Sequence, residues 1–339
     1  MEQNYYLTMN KKNQKKVASY IANLPDYVVT FFVGIENYTT PLTRANYAMD
    51  LRIFFDYLSE KFGKKANQIT LDDLNILKSS DIENFLSNLS FYSFKGKNYH
   101  NTEKGKARKL ASVRSFFKYF YNKDKLNSNI ASKIATPKQH QKDIIRLEID
   151  EVAKIINEAE NPNFKSKTQL SYNKHTSKRD VAILTIFLGT GIRVSELVGL
   201  NIEHVDLKNN AFKVTRKGGN QVVLYYSEEV KTAIITWLNA REDFKPKDNA
   251  LFLSLQKKRI TTRAVQNLVK KFSKQINPLK KISPHKLRST YGTNLYRETQ
   301  DIYVVADVLG HKDVNTTKKH YAAMSEDIRK NAANKVKLR

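Results

Sequence analysis

Four short segments in the second half of the chain carry side chains suited to phosphoryl transfer. They are GTGIRVSELVGL (189–200), AFKVTRKGGNQVVLYYS (211–227), ISPHKLRSTYGTNLY (282–296) and LGHKDVNTTKKHYAAMS (309–325). Their candidate functional residues are two arginines, a lysine, two histidines and a tyrosine: Arg193, Lys217, His285, Arg288, His311 and Tyr321. Two guanidinium groups can neutralise the nonbridging oxygens of a phosphodiester, a role that Mg²⁺ has in other enzymes. The set therefore indicates metal-free phosphoryl transfer, with the tyrosine hydroxyl as candidate nucleophile.

Each of these residues, taken alone, also has a structural interpretation. Tyr321 is one of 18 tyrosines, and most tyrosines in a protein serve packing rather than catalysis. Arg193 can pair with Glu196 one turn further along a helix. The spacing of His285 and Arg288 arises by chance in many basic helices. The helix dipole opposes an arginine at a helix start, however, so a bound anion near Arg193 is the alternative explanation.

The local sequence predicts the element that positions each group. A Gly-Thr-Gly break ends one apolar helix and places the first arginine at the start of the next. In the third segment, Ser283 can cap a helix and Pro284 can take its first position, so that the histidine and arginine share a face near an N-terminus suited to phosphate. Two β-rich runs, Ala211 to Thr215 and Gln221 to Tyr226, flank a Gly-Gly turn and predict a hairpin with Lys217 at its tip.

The composition and charge favour a polyanionic partner. The 339 residues are 40% hydrophobic, which is enough apolar material for two globular domains. The net charge is +26, and both halves contribute to it, with 24 basic against 14 acidic residues up to Glu148 and 35 against 19 beyond it. Basic charge on both domains favours nucleic acid over a membrane, because the longest apolar runs are too short to span a bilayer.

Other classes of protein are excluded or disfavoured by what the sequence lacks. Without cysteine, thiolate catalysis, disulfide bonds and Cys-ligated zinc are excluded, and we expect neither a metal nor a cofactor. The first residues, MEQNYYLTMNKK, lack the apolar segment of a secretory signal. We therefore expect a cytoplasmic, nucleoid-associated protein without a membrane partner.

Two amphipathic helices are predicted in the first half, one from Thr40 to Phe62 behind a cap at Thr40 or Thr43, the other from about Gly105 to Tyr121. Residues 91–125 hold ten Lys or Arg against two acids. Such a run forms either a solvated helix surface or a surface that contacts phosphates. The candidate DNA-binding residues on the second helix are Lys106, Arg108, Lys109, Arg114 and Lys118.

A polar segment divides the chain. IATPKQHQKDIIRLE (134–148) contains a proline and lacks a helical apolar stripe, as an interdomain linker does. After it we expect a helix from about Asp150 to Glu160 and then a loop or insertion over 161–178. The predicted organisation is an N-terminal helical DNA-binding domain at 1–136, a linker at 137–148 and a catalytic domain at 149–339.

The segments TGIRVSEL, RKGGN, HKLRST and LGHKDVNTTKKHYA resemble the active-site boxes of the tyrosine recombinase (phage integrase) family and follow the family's order. The agreement spans residues 179–324, most of the second half. The resemblance implies a mainly α fold with a small β-hairpin or sheet in the catalytic domain. It further implies a two-domain C-shaped clamp around duplex DNA, whose N-terminal domain binds the core site.

The resemblance also implies roles for the candidate residues. Tyr321 is the implied nucleophile, which forms a 3′-phosphotyrosyl bond, and the other five implied catalytic residues are Arg193, Lys217, His285, Arg288 and His311. Lys217 rather than Arg216 is the expected proton donor, because arginine does not give up a proton at useful pH. Glu196 either supports the active site or forms a helix salt bridge. Rejoining needs no ATP, because a phosphodiester is exchanged for a phosphotyrosine of similar energy.

Within the family the chain is most similar to the Xer-type site-specific recombinases. The added lengths near 91–103 and 161–178 are similar to those of the single-recombinase XerS-like subgroup. This similarity implies resolution of chromosome dimers at a dif-like site. It also implies a homotetramer on two DNA sites, assembled by exchange of a C-terminal tail (322–339), and a DNA translocase such as FtsK as a partner.

Three alternatives share part of this pattern. An integrase or resolvase of a mobile element has the same catalytic boxes. A DNA-binding protein without catalysis needs the basic domains but not all six residues. A type IB topoisomerase shares the chemistry and relaxes supercoils without a site-specific tetramer.

Overall fold

The computed structural model describes residues 5–138, 145–162, 167–216, 219–243, 246, 248–310, 313–315 and 317, with the backbone alone at 167–170, 172, 174 and 175. The chain forms two compact units, Met1–Lys142 and Asp143–Arg339. The division falls within the segment predicted as a linker (137–148), of which residues 139–144 lie outside the described ranges.

The first unit is helical and packs around phenylalanine rings. Its helices and strands are α1 (Tyr5–Ile21), α2 (Asp26–Gly34), α3 (Pro41–Phe62), α4 (Leu71–Ile76), α5 (Ser79–Asn88), β1 (Phe91–Phe94), β2 (Lys97–His100) and α6 (Glu103–Tyr121), with 3₁₀ turns at Glu36–Tyr38, Ala66–Gln68 and Ile130–Lys133. In the core, Phe31, Phe55 and Phe120 surround Phe116 with edge-on contacts at centroid distances of 5.0–5.8 Å. Such edge-to-face pairs add to the stabilisation from burial alone.

The start and end of α3 follow from its sequence. Thr40 is the N-cap and accepts a hydrogen bond from the Thr43 backbone N–H at 3.2 Å, and Pro41 takes the first helical position. Gly63 ends the helix in the left-handed conformation at φ 64°. The predicted helix over Thr40 to Phe62, and Thr40 as its cap, are therefore confirmed.

The hairpin of β1 and β2 was not predicted. The strands pair antiparallel with Tyr92 opposite Tyr99, and the two turn residues, Lys95 and Gly96, both have positive φ (51° and 71°). This geometry matches the right-handed twist of a hairpin, but lysine is an unusual first residue for it. Each strand has only four residues, too few to show an alternation of apolar and polar residues, and the apolar Phe91 is 83% exposed. The sequence therefore carries no clear signal for these strands.

The second unit surrounds α8 with helices and carries a small sheet. Its elements are α7 (Ile149–Glu160), α8 (Lys167–Thr190), α9 (Val194–Val198), β3 (Val205–Asp206), β4 (Ala211–Thr215), β5 (Gln221–Tyr225), α10 (Glu228–Glu242), α11 (Thr262–Ile276), α12 (Pro284–Thr299) and α13 (Ile302–Leu309), with a 3₁₀ turn at Ile202–His204. The sheet is antiparallel in the order β3-β4-β5, and Thr215 lies opposite Gln221 next to the hairpin tip. The predicted hairpin is confirmed. Within the described residues, no helix combines the length and apolar character needed to cross a membrane.

The predicted loop over 161–178 is wrong in its second part, because α8 begins at Lys167. Asn173, Thr176 and Asp180 are buried on this helix at intervals of three and four residues. A buried helix face made of polar side chains leaves no apolar periodicity in the sequence, so the helical signal was absent from hydrophobic patterning.

Candidate active site

The candidate site lies around the C-terminal end of α13. Asp301 caps the start of this helix by accepting from the backbone N–H groups of Tyr303 at 2.7 Å and Val304 at 3.3 Å. Gly310 ends it in the left-handed conformation at φ 62°. The last carbonyls of a helix lack intrahelical donors and carry the negative end of its dipole. The end of α13 therefore attracts cationic donors.

Arg193 reaches this end from the start of α9. Its Nη2 donates to the Gly310 carbonyl at 3.0 Å and its Nη1 to Glu196 Oε1 at 2.8 Å. The other carboxylate oxygen of Glu196 accepts from the Arg193 backbone N–H at 3.0 Å, which satisfies a donor at the helix start. The arginine side chain is 33% exposed and that of Glu196 is 3% exposed. The helix salt bridge predicted for Glu196 is thus present, and it also orients the arginine.

Arg288 reaches the same end from α12. Its Nη2 donates to the Leu309 carbonyl, and its Nη1 donates to the carbonyl of Gly191, at the end of α8, at 2.5 Å. The residue is 6% exposed. One guanidinium therefore joins the ends of two helices, α8 and α13, a bridge that no single-donor side chain can make.

A third guanidinium, that of Arg216, arrives from the end of β4. Its Nη2 donates to the Val308 carbonyl at 3.0 Å. Burial lowers the pKa of this guanidinium below its usual value, whereas nearby Glu196 favours the cation. The sequence predicts Arg216 only as the less suitable alternative to Lys217 as proton donor, because nothing in it indicates that β4 ends opposite α13.

The described residues thus bring together three arginines on three consecutive carbonyls, those of residues 308, 309 and 310.

His285 lies at the second position of α12 and is exposed to solvent, one turn before the buried Arg288 of that helix. Ser283 is at the N-cap position and Pro284 at the first, as predicted, although the Ser283 side chain makes no capping hydrogen bond. The remaining predicted catalytic residues, Lys217, His311 and Tyr321, lie outside the described residues.

Replacement of Gly310 by alanine is expected to destabilise the second unit by roughly 3 kcal/mol, about twice the cost of a left-handed alanine alone. A Cβ built on Gly310 overlaps the Arg216 guanidinium, and the backbone has φ +62°. Gly63→Ala is the matched control, because it has φ +64° at a helix end with nothing within 4 Å of its Cβ. Denaturant unfolding measures both, with the single tryptophan, Trp237, reporting the second unit and circular dichroism following the helices of both units. Equal costs at the two glycines would contradict the packing of Arg216 against Gly310.

The five residues predicted to contact DNA lie on α6 and differ in their surroundings. Arg108 donates to the buried Asp50 carboxylate at 2.5 Å. Lys109 is itself buried and donates to Asn101 Oδ1 at 2.9 Å, and burial lowers its pKa. The Lys106 Nζ lies 3.1 Å from Oε1 of Glu103, the first residue of α6. These contacts within the unit give the basic residues structural roles that the charge count did not indicate.

Arg114 and Lys118 stand one turn apart on α6 and present the clearest contrast. Arg114 donates to the carbonyls of Ala131 (Nε, 3.2 Å) and Ile134 (Nη2) and to Thr136 Oγ1 (Nη1, 2.8 Å). Lys118 is exposed. Arg114 therefore fixes the segment that follows α6.

We expect Arg114→Ala to destabilise the first unit by about 2–3 kcal/mol, because it removes hydrogen bonds from a charged donor and leaves carbonyls unpaired. Lys118→Ala should leave the stability unchanged. If this surface contacts phosphates, the variant should also reduce the slope of log binding constant against log salt concentration by about one phosphate contact. Thermal unfolding and salt titration of DNA binding separate the two effects. A stable Arg114→Ala protein with weakened DNA binding would reverse this assignment.

The described fold is mainly helical, and three guanidinium groups meet at the end of one helix. The profile of the phage integrase family matches residues 146–327. Tyrosine recombinase XerC of Caldanaerobacter subterraneus subsp. tengcongensis is 36% identical over 307 residues, which cover 87% of this chain and 82% of that protein. The XerC of Natranaerobius thermophilus is 32% identical over 293 residues, with coverage of 84% and 89%.

A similarity in fold extends to a solved structure, that of XerH site-specific recombinase bound to palindromic difH substrate. It has a TM-score of 0.68 at 19% identity and covers 87% of this chain and 80% of that chain. The chain therefore belongs to the phage integrase family. It is a tyrosine recombinase, an enzyme that cuts and rejoins DNA at specific sites. The family resemblance and the mainly α fold predicted from the sequence are confirmed.

Proposed function

We propose that the chain cuts duplex DNA through a 3′-phosphotyrosyl intermediate formed by Tyr321. The tyrosine oxygen attacks the scissile phosphorus, the bond from phosphorus to the 5′ oxygen breaks, and Lys217 protonates that oxygen. His285 accepts the tyrosine proton and His311 donates a hydrogen bond to the phosphate. The 5′ hydroxyl of a partner strand then attacks the phosphotyrosyl bond, which releases the tyrosine and joins the strands.

The observation that supports this proposal is the convergence of Arg193 and Arg288 on adjacent carbonyls of the α13 end. They come from different helices and meet next to the segment that leads to His311 and Tyr321. A guanidinium has five N–H donors, so Arg193 can donate to a phosphate while it keeps its bonds to Glu196 and the α13 end. Two fixed cations would stabilise the charge that develops on the phosphate oxygens.

We infer that the biological role is that of a chromosomal Xer recombinase. The XerC relatives and the XerH complex with difH DNA support action at a dif-like site, with resolution of chromosome dimers as the outcome. The net charge of +26 suits a duplex DNA partner. We propose a homotetramer on two sites, completed by exchange of residues 322–339, and a translocase such as FtsK as activator. The tail lies outside the described residues.

A supercoiled plasmid with two directly repeated dif-like sites tests the proposal. The enzyme is expected to convert it into two smaller circles and to leave a one-site plasmid unresolved. Relaxation of both plasmids to the same extent, without resolved circles, would indicate a topoisomerase. Binding without any strand cleavage, both alone and with the translocase added, would indicate a DNA-binding protein that lacks catalysis.

A further inference from the structure

Arg216 stands at the base of the hairpin tip that carries Lys217. Its backbone N–H donates to the Asn220 carbonyl at 2.8 Å, and its own carbonyl accepts from the Gly219 N–H at 3.0 Å. These two bonds join the described residues on either side of positions 217 and 218. Arg216 is therefore the last described residue before Lys217, to which it is joined by one peptide bond.

The side chain of Arg216 connects this tip to another part of the unit. It crosses from β4 to α13 and donates to the Val308 carbonyl at 3.0 Å. Its guanidinium lies against the Cα of Gly310, where a Cβ would overlap Nη1 and Cζ. The glycine at this position provides both the left-handed turn and the space for the arginine. The contact is therefore part of how α13 ends.

The surroundings of Arg216 suit a fixed cation rather than a group that binds substrate. Its Nε is buried and has no hydrogen-bond partner among the described residues. Burial lowers its pKa, Glu196 and Asp307 favour the charged form, and Arg193 opposes it. The bond to the Val308 carbonyl and the packing against Gly310 hold this cation at the end of the helix.

We propose that Arg216 is a positioning residue, which ties the hairpin tip to the end of α13 and so sets where Lys217 delivers its proton. This inference rests on the proposed function. In the cleavage step, the Tyr321 oxygen forms a bond to phosphorus and the bond from phosphorus to the 5′ oxygen breaks. The proton from the Lys217 ammonium group goes to the departing oxygen. Loss of Arg216 would misplace this proton donor while the nucleophile and the other two arginines remain.

A change of leaving group tests the proposal. A duplex whose scissile 5′ bridging oxygen is replaced by sulfur releases a thiolate, and a thiol has a pKa of about 8.5, so that departure needs no protonation. On the ordinary duplex, Arg216→Ala should cleave about 10- to 100-fold more slowly than the wild type, the loss expected from a misplacement of about 1 Å. On the sulfur duplex the difference should fall below about 3-fold, as it should for Lys217→Ala.

Single-turnover cleavage of both duplexes is measured with two further variants. Lys213→Ala removes the same charge from an exposed position on β4 and should match the wild type. Arg216→Lys keeps the charge and one donor, and should lie between the wild type and Arg216→Ala; it replaces the alanine variant if that one does not fold. Equal slowing of Arg216→Ala on both duplexes, or no slowing on either, would overturn the inference alone. Failure of the wild type to cleave either duplex would overturn the proposed function and this inference with it.

Discussion

Replacement of Tyr321 by phenylalanine is expected to abolish the covalent protein–DNA adduct, with a loss of at least about 10⁴-fold in its rate of formation. Phenylalanine keeps the ring but lacks the oxygen that would form the phosphodiester bond. A nicked duplex with a candidate recombination site traps the adduct, because the short cleaved strand diffuses away, and a denaturing gel detects it. Binding to the same duplex should persist.

Tyr303→Phe is the matched control for this substitution. Tyr303 lies on α13, in the same unit, and is 70% exposed. Its hydroxyl has no place in the proposed chemistry, so this variant should form the adduct at the wild-type rate. An adduct in Tyr321→Phe would show that another of the 18 tyrosines, or a different residue type, is the nucleophile.

Arg288→Ala is expected to slow cleavage by about 10³-fold, because one of the two proposed phosphate-stabilising cations is lost. The same substitution should destabilise the second unit by about 2–4 kcal/mol, since the carbonyls of Gly191 and Leu309 lose their charged donor. Single-turnover cleavage and Trp237 fluorescence during unfolding measure the two effects separately. The loss of cleavage rate and the loss of stability have different causes, so Arg288→Lys should restore them to different extents.

Arg288→Lys separates stability from catalysis. Lysine keeps the charge but cannot bridge two carbonyls in a plane, so it should recover part of the stability and little of the rate. Arg297→Ala on the same helix is the control, because Arg297 makes a partly exposed ion pair with Glu148 at 3.7 Å. Cleavage by Arg288→Lys at the wild-type rate would contradict a role for the guanidinium fork in the reaction.

The sequence predicted the local elements that carry the candidate residues because each has local signals. Thr40 and Pro41 start α3, Pro284 starts α12, and a Gly-Gly turn separates β4 from β5. These signals act over a few residues and do not depend on the rest of the fold. The family resemblance then ordered the catalytic boxes along the chain.

Contacts between distant segments could not be predicted in this way. The meeting of Arg193, Arg216 and Arg288 at the end of α13 depends on how β4, α9 and α12 pack, and arginines that bind carbonyls look the same in a sequence as arginines that bind phosphate. The start of α8 was missed for a related reason, since the face it buries is polar at Asn173 and Thr176. Hydrophobic periodicity predicts a helix only where its buried face is apolar.

Mass spectrometry can identify the residue that becomes bound to the DNA. The wild-type adduct on the nicked duplex, formed in EDTA, is digested with nuclease and trypsin and analysed by mass spectrometry. The tryptic peptide HYAAMSEDIR (320–329) contains Tyr321 and no other tyrosine. We expect a 3′-phosphoryl nucleotide on Tyr321 of this peptide. A nucleotide on any other residue, or an adduct that forms only when a divalent metal is added, would contradict it.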